Sequence, residues 1–383
     1  MASKNMQSRE SWTVNCYREF AQIPSDSLDL LRCRNAGCFF FSIEWFSCLA
    51  QFGVNERSGV RIYDCLAHNR DERSSYLLCL FEDVGRKRLT SLSNYYTIKY
   101  PGVIGPDEVP EFALGAIVDQ IASELPAWSE VEIRYLSANN PATSALHDAF
   151  TGAGYRVDLF HQHWNWFINV DGLSYADYLA RRPTRLRNTL RRKALRVAKR
   201  HRVRFAEFRC GDDLASGLMD YHRVYERSWK QPERRPDFVS ELILLCAKHG
   251  VLRLGMLYLD EAPVATQFWI CSDGVSYIYK LAQDPNYNDL SVGALLTAHM
   301  FEQAIDVDKV SEIDFGVGDE AFKQDWTDAR RQFVGLQALN RRTLRGCLLS
   351  LRLNIRSLLR RAGLRKYTPV QAVSERVSKA KVG

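Results

Sequence analysis

Three strand-like segments joined by very short turns constrain the fold of this chain most strongly. β-branched and aromatic residues are frequent in these segments, which cover 251–259, 263–272 and 275–282. The connections are Asp260-Glu261 and Asp273-Gly274. Turns of this length join antiparallel strands, so the pattern predicts a meander of three strands.

The segments after this meander predict a mixed sheet. A polar loop leads into a helix that begins at Ser291, and a strand follows at 311–316. A strand–helix–strand step of this kind predicts a crossover between parallel strands. The last strand is expected at 332–339. Helices together with hairpins and one crossover indicate an α+β fold with a mixed sheet.

The chain before residue 170 has a similar order of elements. The predicted helices cover 26–34, 42–51, 109–125 and 141–152, and the predicted strands cover 60–67, 75–83, 88–93, 131–136 and a segment that ends in HQHWNWFINV. At 383 residues the chain is long enough for two domains. We therefore expect domains at 1–170 and 171–340, followed by a tail at 341–383.

Composition predicts a cytoplasmic protein. The hydrophobic residues make up 46% and the charged residues 25% of the chain, which is typical of globular proteins. The ten cysteines form no C-x-x-C pair, so reduced thiols are expected. The N-terminus contains no apolar segment typical of a signal peptide. The most apolar segment, at 36–52, contains Glu44 and is too short to span a bilayer, so it is predicted to be a buried helix.

Two segments account for the net positive charge of the chain. Twelve Lys and Arg residues and no acid lie in 181–204, within a helix predicted at 174–200. This basic helix could expose a solvated face, contact an anionic substrate or a phosphorylated cofactor, or bind nucleic acid. Few aromatic residues lie between its arginines, so nucleic acid is the less favoured partner.

The tail is the second basic segment. Twelve Lys and Arg residues face one acid in 341–383, and leucines recur there at helical spacing. Such an amphipathic pattern fits peripheral contact of 344–366 with the inner face of a membrane. Docking of this helix on the protein or on a partner, with its arginines outward, is the alternative.

The start of the helix at Ser291 suggests a pyrophosphate site. Ser291, Gly293 and Ala294 are small residues that allow a ligand to approach the backbone. The first-turn amides of a helix have no internal partner, and the helix dipole adds positive potential there. A serine N-cap with close helix packing is the structural alternative.

Polar residues near two strand ends are candidates for the chemistry. Asp319 and Lys323 are four residues apart, so on a helix they would share a face, either as a solvent-exposed ion pair or beside an acceptor. Alternation places Tyr277 and Tyr279 on one face of their strand and Lys280 on the other. A buried lysine needs a counter-ion, and Asp284 or Asp314 would supply one.

The histidines predict neither a metal site nor a catalytic triad. His161 and His163 alternate on one strand, but no carboxylate or thiol stands at a matching spacing. No metal ligand is therefore expected.

Residues 174–340 resemble a group of GNAT-type acetyltransferases, the CelD/BcsL group of cellulose and exopolysaccharide clusters, which is related to FemAB-like transferases. The resemblance rests on LRNTLRRKALRVAKR, YERSWKQ, YIYKLAQDPNY, SVGALL and DFGVGDEAFKQDW, in this order. The usual Gln/Arg-x-x-Gly-x-Gly/Ala motif is absent, and Asp289-Leu290-Ser291-Val292-Gly293 stands in its place.

This resemblance implies a doubled GNAT fold, with acetyl-CoA or another acyl-CoA bound to the second copy. The implied cofactor-binding residues are Ser291, Val292, Gly293, Ala294 and Leu295. The catalytic candidates are Asp319 as base, Tyr279 as acid for the leaving thiolate, and Lys323. The candidates for substrate binding are Trp229, Lys280, Asp284, Asp314, Arg185 and Arg187.

The implied activity is direct acyl transfer to an amine or hydroxyl of a sugar, a polysaccharide precursor or a similar polar acceptor. Two alternatives remain open at this stage. One is FemAB-like transfer from aminoacyl-tRNA, in which 181–204 would contact the tRNA. The other is a non-catalytic scaffold with a GNAT fold that acts in polysaccharide biosynthesis.

Overall fold

A computed structural model describes residues 11–34, 37–53, 59–68, 73–106 and 111–361 of the chain. In the part before residue 170, the strands are β1 Ser11–Tyr17, β2 Gly59–His68, β3 Arg73–Asp83, β4 Arg88–Ser91, β5 Glu130–Ser137 and β6 Tyr155–Asn169. The helices of this part are α1 Ser25–Arg34, α2 Ile43–Phe52, α3 Glu111–Ser123 and α4 Pro141–Gly152.

The part after residue 170 repeats this composition. Its strands are β7 Val203–Phe208, β8 Leu252–Leu259, β9 Ala262–Ser272, β10 Val275–Gln283, β11 Glu312–Val317 and β12 Ala329–Asn340. Its helices are α5 Tyr175–Ala180, α6 Thr184–Ala198, α7 Leu214–Arg227, α8 Pro236–Lys248, α9 Val292–Glu302, α10 Lys323–Trp326 and α11 Leu344–Arg361.

The described strands form one sheet of mixed direction, in the order β1-β2-β3-β4-β5-β12-β6-β11-β10-β9-β8-β7. The pairs β4/β5 and β10/β11 are parallel, and the other neighbours are antiparallel. The predicted α+β fold with a mixed sheet, the meander of β8, β9 and β10, and the crossover from β10 to β11 are all confirmed.

The sheet contains the same strand order twice, once from each edge. The sixth strand of each part pairs with the fifth strand of the other part: β6 pairs with β11, and β12 pairs with β5. β6 and β12 pair with each other in the middle, from Tyr155 opposite Asn340 to Phe167 opposite Ala329. This exchange joins the two repeats into one sheet, and a domain boundary near residue 170 stays a prediction.

An aromatic cluster also joins the two repeats away from the sheet centre. The Phe40 ring lies 5.0 Å from the Tyr277 ring, and the Trp45 ring lies 6.1 Å from the Phe238 ring. All four side chains are at most 1% exposed. The buried segment predicted at 36–52 is thus confirmed, with a short 3-10 turn before Ser42, whose hydroxyl accepts from the Trp45 amide and caps α2.

Two local predictions differ from the structure. The single basic helix expected at 174–200 is two helices, α5 and α6, because Pro183 lacks an amide proton and disfavours helical backbone at Arg182. Strand β1 was not expected, although its sequence SWTVNCY alternates polar with apolar residues. It pairs along its whole length with β2 at the sheet edge.

Candidate active site

Strands β10 and β11 separate beside the candidate site. They pair only where Val275–Tyr277 lies opposite Glu312–Asp314, although β10 continues to Gln283. Tyr279 is an extra residue in β10, because Ile278 lies opposite Trp269 of β9 and Lys280 lies opposite Phe268. A bulge of this kind bends its strand and increases the local twist. The later backbone of β10 is therefore left unpaired on the side of β11.

The first turn of α9 follows directly after β10 and the turn at 285–290. Ser291 has left-handed backbone angles, φ 56° and ψ 41°, and its side chain makes no capping hydrogen bond. A Cβ on Gly293 would lie 2.0 Å from Gln283 Oε1, so a larger residue here would displace the Gln283 side chain. Within the described chain, the amides of Val292, Gly293 and Ala294 have no backbone acceptor. They remain available for a bound anion.

The other predicted cofactor residues contribute through their backbone. The side chains of Val292 and Leu295 are 0% and 7% exposed and pack in the core. Helix α6 packs against α9. Lys193 of α6 donates to the carbonyl oxygen of Asp289, next to the first turn of α9. The basic helix and the candidate pyrophosphate site are therefore neighbours.

Lys280 is paired with a carboxylate that the sequence pattern did not indicate. Its Nζ lies 2.7 Å from Glu233 Oε2, and it lies 4.4 Å from the centre of the Tyr96 ring. The Tyr96 hydroxyl donates to Glu233 as well. The expected counter-ions, Asp284 and Asp314, are thus the wrong ones. The Lys280 ammonium is buried and satisfied by an ion pair and an aromatic face.

The bulge at Tyr279 also corrects the predicted orientation of Lys280. Strict alternation would place Lys280 on the opposite face from Tyr277 and Tyr279. Instead, Lys280 lies beside Tyr96, which packs on Phe238 in the same core cluster as Tyr279. One inserted residue shifts every later side chain of a strand, and this shift accounts for the difference.

Lys230 lies next to this pair, and its pKa is strongly lowered. Burial lowers its pKa to about 8, and the positive charge of Lys280 adds to this effect. The carboxylates of Glu233 and Glu320 act in the opposite direction. Among the described residues, Lys230 forms no ion pair, and its ammonium lies 5.9 Å from the centre of the Tyr225 ring. About a tenth of Lys230 is therefore neutral at pH 7, and about half is neutral at pH 8.

Tyr277 and Tyr279 both pack into the aromatic core. The Tyr279 ring lies 5.2 Å from Phe268 and 6.2 Å from Phe40. Its hydroxyl is buried without a hydrogen-bond partner, and burial raises its pKa well above the usual value. The hydroxyl of Tyr277 accepts from Lys99. Tyr279 therefore keeps its proton at neutral pH, and its hydroxyl donates no hydrogen bond within the described chain.

The predicted pair of Asp319 and Lys323 is not formed. Both precede or begin the short helix α10, so they do not share a helical face. Lys323 Nζ lies 2.8 Å from Glu320 and donates to the carbonyl of Val317 at 2.9 Å. Asp319 accepts from Trp166 Nε1 at 2.6 Å. The loop between β11 and α10 separates the two side chains.

Asp314 is part of a buried network beside the strand exchange. It is 1% exposed and accepts from Asn165 Nδ2 at 2.6 Å and from the Gly316 amide at 2.6 Å. Arg331 Nη2 of β12 lies 2.5 Å from its other oxygen. These contacts occupy the carboxylate, so Asp314 stabilises the junction of β11, β6 and β12.

The remaining predicted residues lie in three separate places. Asp284 accepts from the Asn286 amide at 2.9 Å and begins the turn before α9. Arg185 and Arg187 are exposed on α6, where Arg187 donates to the hydroxyl of Thr184 at 3.1 Å. Trp229 is 56% exposed beside Lys230. Trp229 therefore lies in the cluster that contains Lys230 and Lys280.

Sequence reasoning missed Lys230, Glu233 and Tyr96. Lys230 belongs to the motif YERSWKQ, so attention to its charge could have found it. A lysine inside a strand demanded a carboxylate, but no local spacing pointed to Glu233 on the loop between α7 and α8. Tyr96 comes from the other repeat, and only the tertiary fold brings it to this position.

The histidines of β6 are packed rather than arranged as ligands. His163 stacks on Phe333 at 4.9 Å, and burial lowers its pKa to about 4. It is therefore neutral at physiological pH. The described residues contain no group of three or more His, Cys, Asp or Glu side chains that could hold a metal ion.

A family model and several solved structures match this chain. Residues 184–324 match the model described as "Acetyltransferase (GNAT) domain". No curated protein matches the sequence. The matched segment includes α6, Lys230, the bulge of β10 and the first turn of α9.

The similar structures share the fold at low sequence identity. A crystal structure of FemX has a TM-score of 0.57 at 11% identity, covering 85% of this chain and 97% of that one. The structure of L-PGS from Bacillus licheniformis has a TM-score of 0.51 at 13% identity, covering 88% and 97%. The C-terminal domain of a putative lysylphosphatidylglycerol synthetase from Agrobacterium fabrum has a TM-score of 0.50 at 11% identity, covering 88% and 96%.

These matches are consistent with the repeated strand order of the sheet, whereas assignment to the narrower CelD/BcsL group stays a prediction. Residues 184–324 are therefore similar to a GNAT acetyltransferase domain, within an α+β fold whose sheet contains the same strand order twice.

Proposed function

We propose that this chain is an acyltransferase that moves an acyl group directly from an acyl-CoA to an amine or hydroxyl of a polar acceptor. The observation that carries the proposal is the neighbourhood of two features. One is a bulged strand that separates from β11 and leads to the open amides of α9. The other is a lysine with a pKa of about 8.

The donor side is supported by the backbone around α9. A pyrophosphate would accept hydrogen bonds from the amides near Val292, Gly293 and Ala294, where the helix dipole also favours negative charge. The unpaired backbone near Tyr279–Leu281 would then lie beside the thioester. A hydrogen bond from this backbone to the carbonyl oxygen would stabilise the charge that develops in the transition state.

Lys230 is the base that the acceptor side supports best. In its neutral form it takes the proton of the attacking amine or hydroxyl, while the new C–N or C–O bond forms at the thioester carbon. The C–S bond then breaks, and the CoA thiolate receives a proton. Tyr279 stays the predicted donor of that proton. Asp319, the base expected from sequence, is bound by Trp166, which makes it the weaker candidate.

A sugar or a similar acceptor fits the surroundings of Lys230. Tyr95 and Trp229 are exposed by 69% and 56%, and aromatic faces of this kind bind the apolar face of a sugar ring. Glu233, Lys280 and Glu320 provide charged partners for hydroxyl or amino groups. This combination supports a polar acceptor of small to moderate size.

Transfer from aminoacyl-tRNA is the alternative that one observation favours. The exposed face of α6 carries Arg185, Arg191, Arg192, Arg196, Lys199 and Arg200 along one groove. This charge extends over most of the 15-residue helix, which is more than the phosphates of one CoA require. Copurified tRNA that is lost steeply with salt would favour this donor.

A mass-spectrometric search for the acylated product tests the proposal. Cells with the wild-type chain should contain an acylated compound that cells with Lys230→Met lack, while Lys248→Met, an exposed lysine at the end of α8, should behave like wild type. An acylated compound that persists in cells with Lys230→Met would exclude Lys230 as the base, and the absence of any acylated compound in cells with the wild-type chain would contradict the proposal.

A further inference from the structure

Helix α11 lies on the protein through its least apolar face. Gly346 is buried, and a side chain there would collide with the Asn340 backbone. The Thr343 hydroxyl accepts from the Gly346 amide at 3.0 Å and fixes the start of the helix. Ser350 is 8% exposed, and its carbonyl accepts from Arg156 of β6 at 2.9 Å. Small and polar groups therefore form the contact with the sheet.

Four large apolar side chains of α11 are exposed, whereas Leu349 and Leu353 are half-buried. Leu344 is 88% exposed, Leu348 62%, Leu351 55% and Ile355 48%. Their spacing of four, three and four residues places them in one stripe along the helix. A helix that only covered its own domain would bury such a stripe. The apolar face of α11 is thus left for something outside the described chain.

Positive charge lies along this stripe. Arg345 and Arg352 are exposed, and Arg341 and Arg342 are exposed just before the helix. The sequence of α11, LRGCLLSLRLNIRSLLRR, contains five arginines and no acid. A second copy of the chain that docked on this stripe would bring two such arginine-rich helices together. An anionic surface would instead be attracted by the same charges.

A loop region from the first repeat extends the same surface. A groove at the start of α11 is lined by 85–87, Ala127, Ser129 and 343–345. Beside it in sequence, Val84 is 64% exposed and Leu125 is 90% exposed. Arg86 and Lys87 lie in the groove lining. Exposed apolar side chains and basic residues thus also occur on loops of the first repeat, outside α11.

We propose that α11 and these loops lie on an anionic lipid bilayer, with the stripe Leu344, Leu348, Leu351 and Ile355 inserted at the headgroup level. Apolar area and basic charge together determine the affinity of such interfacial helices. No helix in the described ranges is long and apolar enough to cross a membrane. The helix therefore lies in the plane of the surface. This proposal is independent of the proposed acyl transfer.

Vesicle cosedimentation of the full chain tests this surface. The wild type should bind vesicles of equal parts phosphatidylglycerol and phosphatidylcholine, should bind pure phosphatidylcholine weakly, and should be released by salt. The double variant Leu348→Glu/Leu351→Glu should lower the partition coefficient at least about tenfold. Met219→Glu, which alters a 56% exposed residue of α7, is the matched control and should bind like wild type.

A second double variant changes only the charge and controls for loss of folding. Arg345→Glu/Arg352→Glu leaves the apolar stripe intact and should also weaken binding to the anionic vesicles, with an unchanged circular dichroism spectrum. Equal binding by wild type and both double variants would overturn the proposal, as would the absence of wild-type binding. Self-association that Leu348→Glu/Leu351→Glu abolishes, without vesicle binding, would instead assign the stripe to a second copy.

Discussion

At the scale of single residues, Lys230 is the candidate base, and the fold lowers its pKa to about 8. Its ammonium is held near Lys280, Glu233 and Glu320, and burial disfavours its charged form. Burial lowers the pKa of Lys280 as well, but its ion pair with Glu233, at 2.7 Å, opposes this effect, and Lys230 has no such pair among the described residues. Two neighbouring lysines thus have different tasks.

The pH dependence of the reaction should follow Lys230. If its neutral form is the base, kcat/KM rises with pH up to the pKa of about 8 and is flat above it. Lys230→Met should remove this limb and lower the rate by about 10²–10⁴-fold. Lys248→Met should retain the whole profile. A profile of Lys230→Met that still rises through pH 8 would assign the base to another residue.

The same pKa predicts a change of stability with pH. The folded pKa lies below the ordinary value of 10.5, so between about pH 8 and 10.5 the unfolded chain holds more protons than the folded one. The contribution of Lys230 to the free energy of unfolding therefore rises across this window. Urea titrations should show a smaller rise in Lys230→Met than in Lys248→Met, and equal slopes would contradict the shifted pKa.

Tyr279 allows structure and chemistry to be separated. Its hydroxyl is buried without a partner, so Tyr279→Phe should change the free energy of unfolding by less than about 1 kcal/mol. If the hydroxyl protonates the leaving thiolate, the variant should still lose activity. The comparison of denaturation and turnover in one sample decides this point. Full activity in a stable variant would remove Tyr279 from the mechanism.

At the scale of elements, periodicity and turn residues predicted most helices and strands and the pairing within the meander, but not the bulge in β10 or the exchange of β6 and β12. The meander of β8, β9 and β10 was evident from the turn residues Asp260-Glu261 and Asp273-Gly274. The bulge at Tyr279 could not be predicted, because an extra residue is defined only by the partner strand. β1 was missed although SWTVNCY alternates polar with apolar residues, and its pairing with β2 identifies it as a strand.

In the candidate site too, features with a local sequence signal were predicted and contacts between distant residues were not. The first turn of α9 was found because helix ends have local signals such as Gly293. Lys230, Glu233 and Tyr96 were missed because they meet only through the tertiary fold. The pair of Asp319 and Lys323 was wrong because a helical spacing was applied to residues that precede a four-residue helix.

At the scale of the whole molecule, one sheet holds both repeats. The exchange of β6 and β12 gives each repeat a strand beside the other's fifth strand. Tyr96 of the first repeat also completes the ion pair of Lys280 in the second. The first repeat therefore supports the candidate site directly as well as covering it.

A shared sheet predicts a single unfolding transition. Phe40→Ala removes a fully buried ring that contacts Tyr277 across the repeats and should cost about 3–5 kcal/mol. In urea, fluorescence and circular dichroism should lose signal together in both wild type and variant. Two separate transitions, with only the first shifted by the variant, would contradict the coupling of the repeats.

Calorimetric titration of the full chain with CoA and acetyl-CoA tests the central claim most directly. We expect saturable binding of both ligands by the wild type. Gly293→Asp should weaken this binding at least about tenfold, because a carboxylate would occupy the open amides of α9. Gly115→Asp, at a helix position with open space around it, should bind like wild type. No heat of binding at millimolar CoA, or equal affinity in Gly293→Asp, would contradict an acyl-CoA donor at this site.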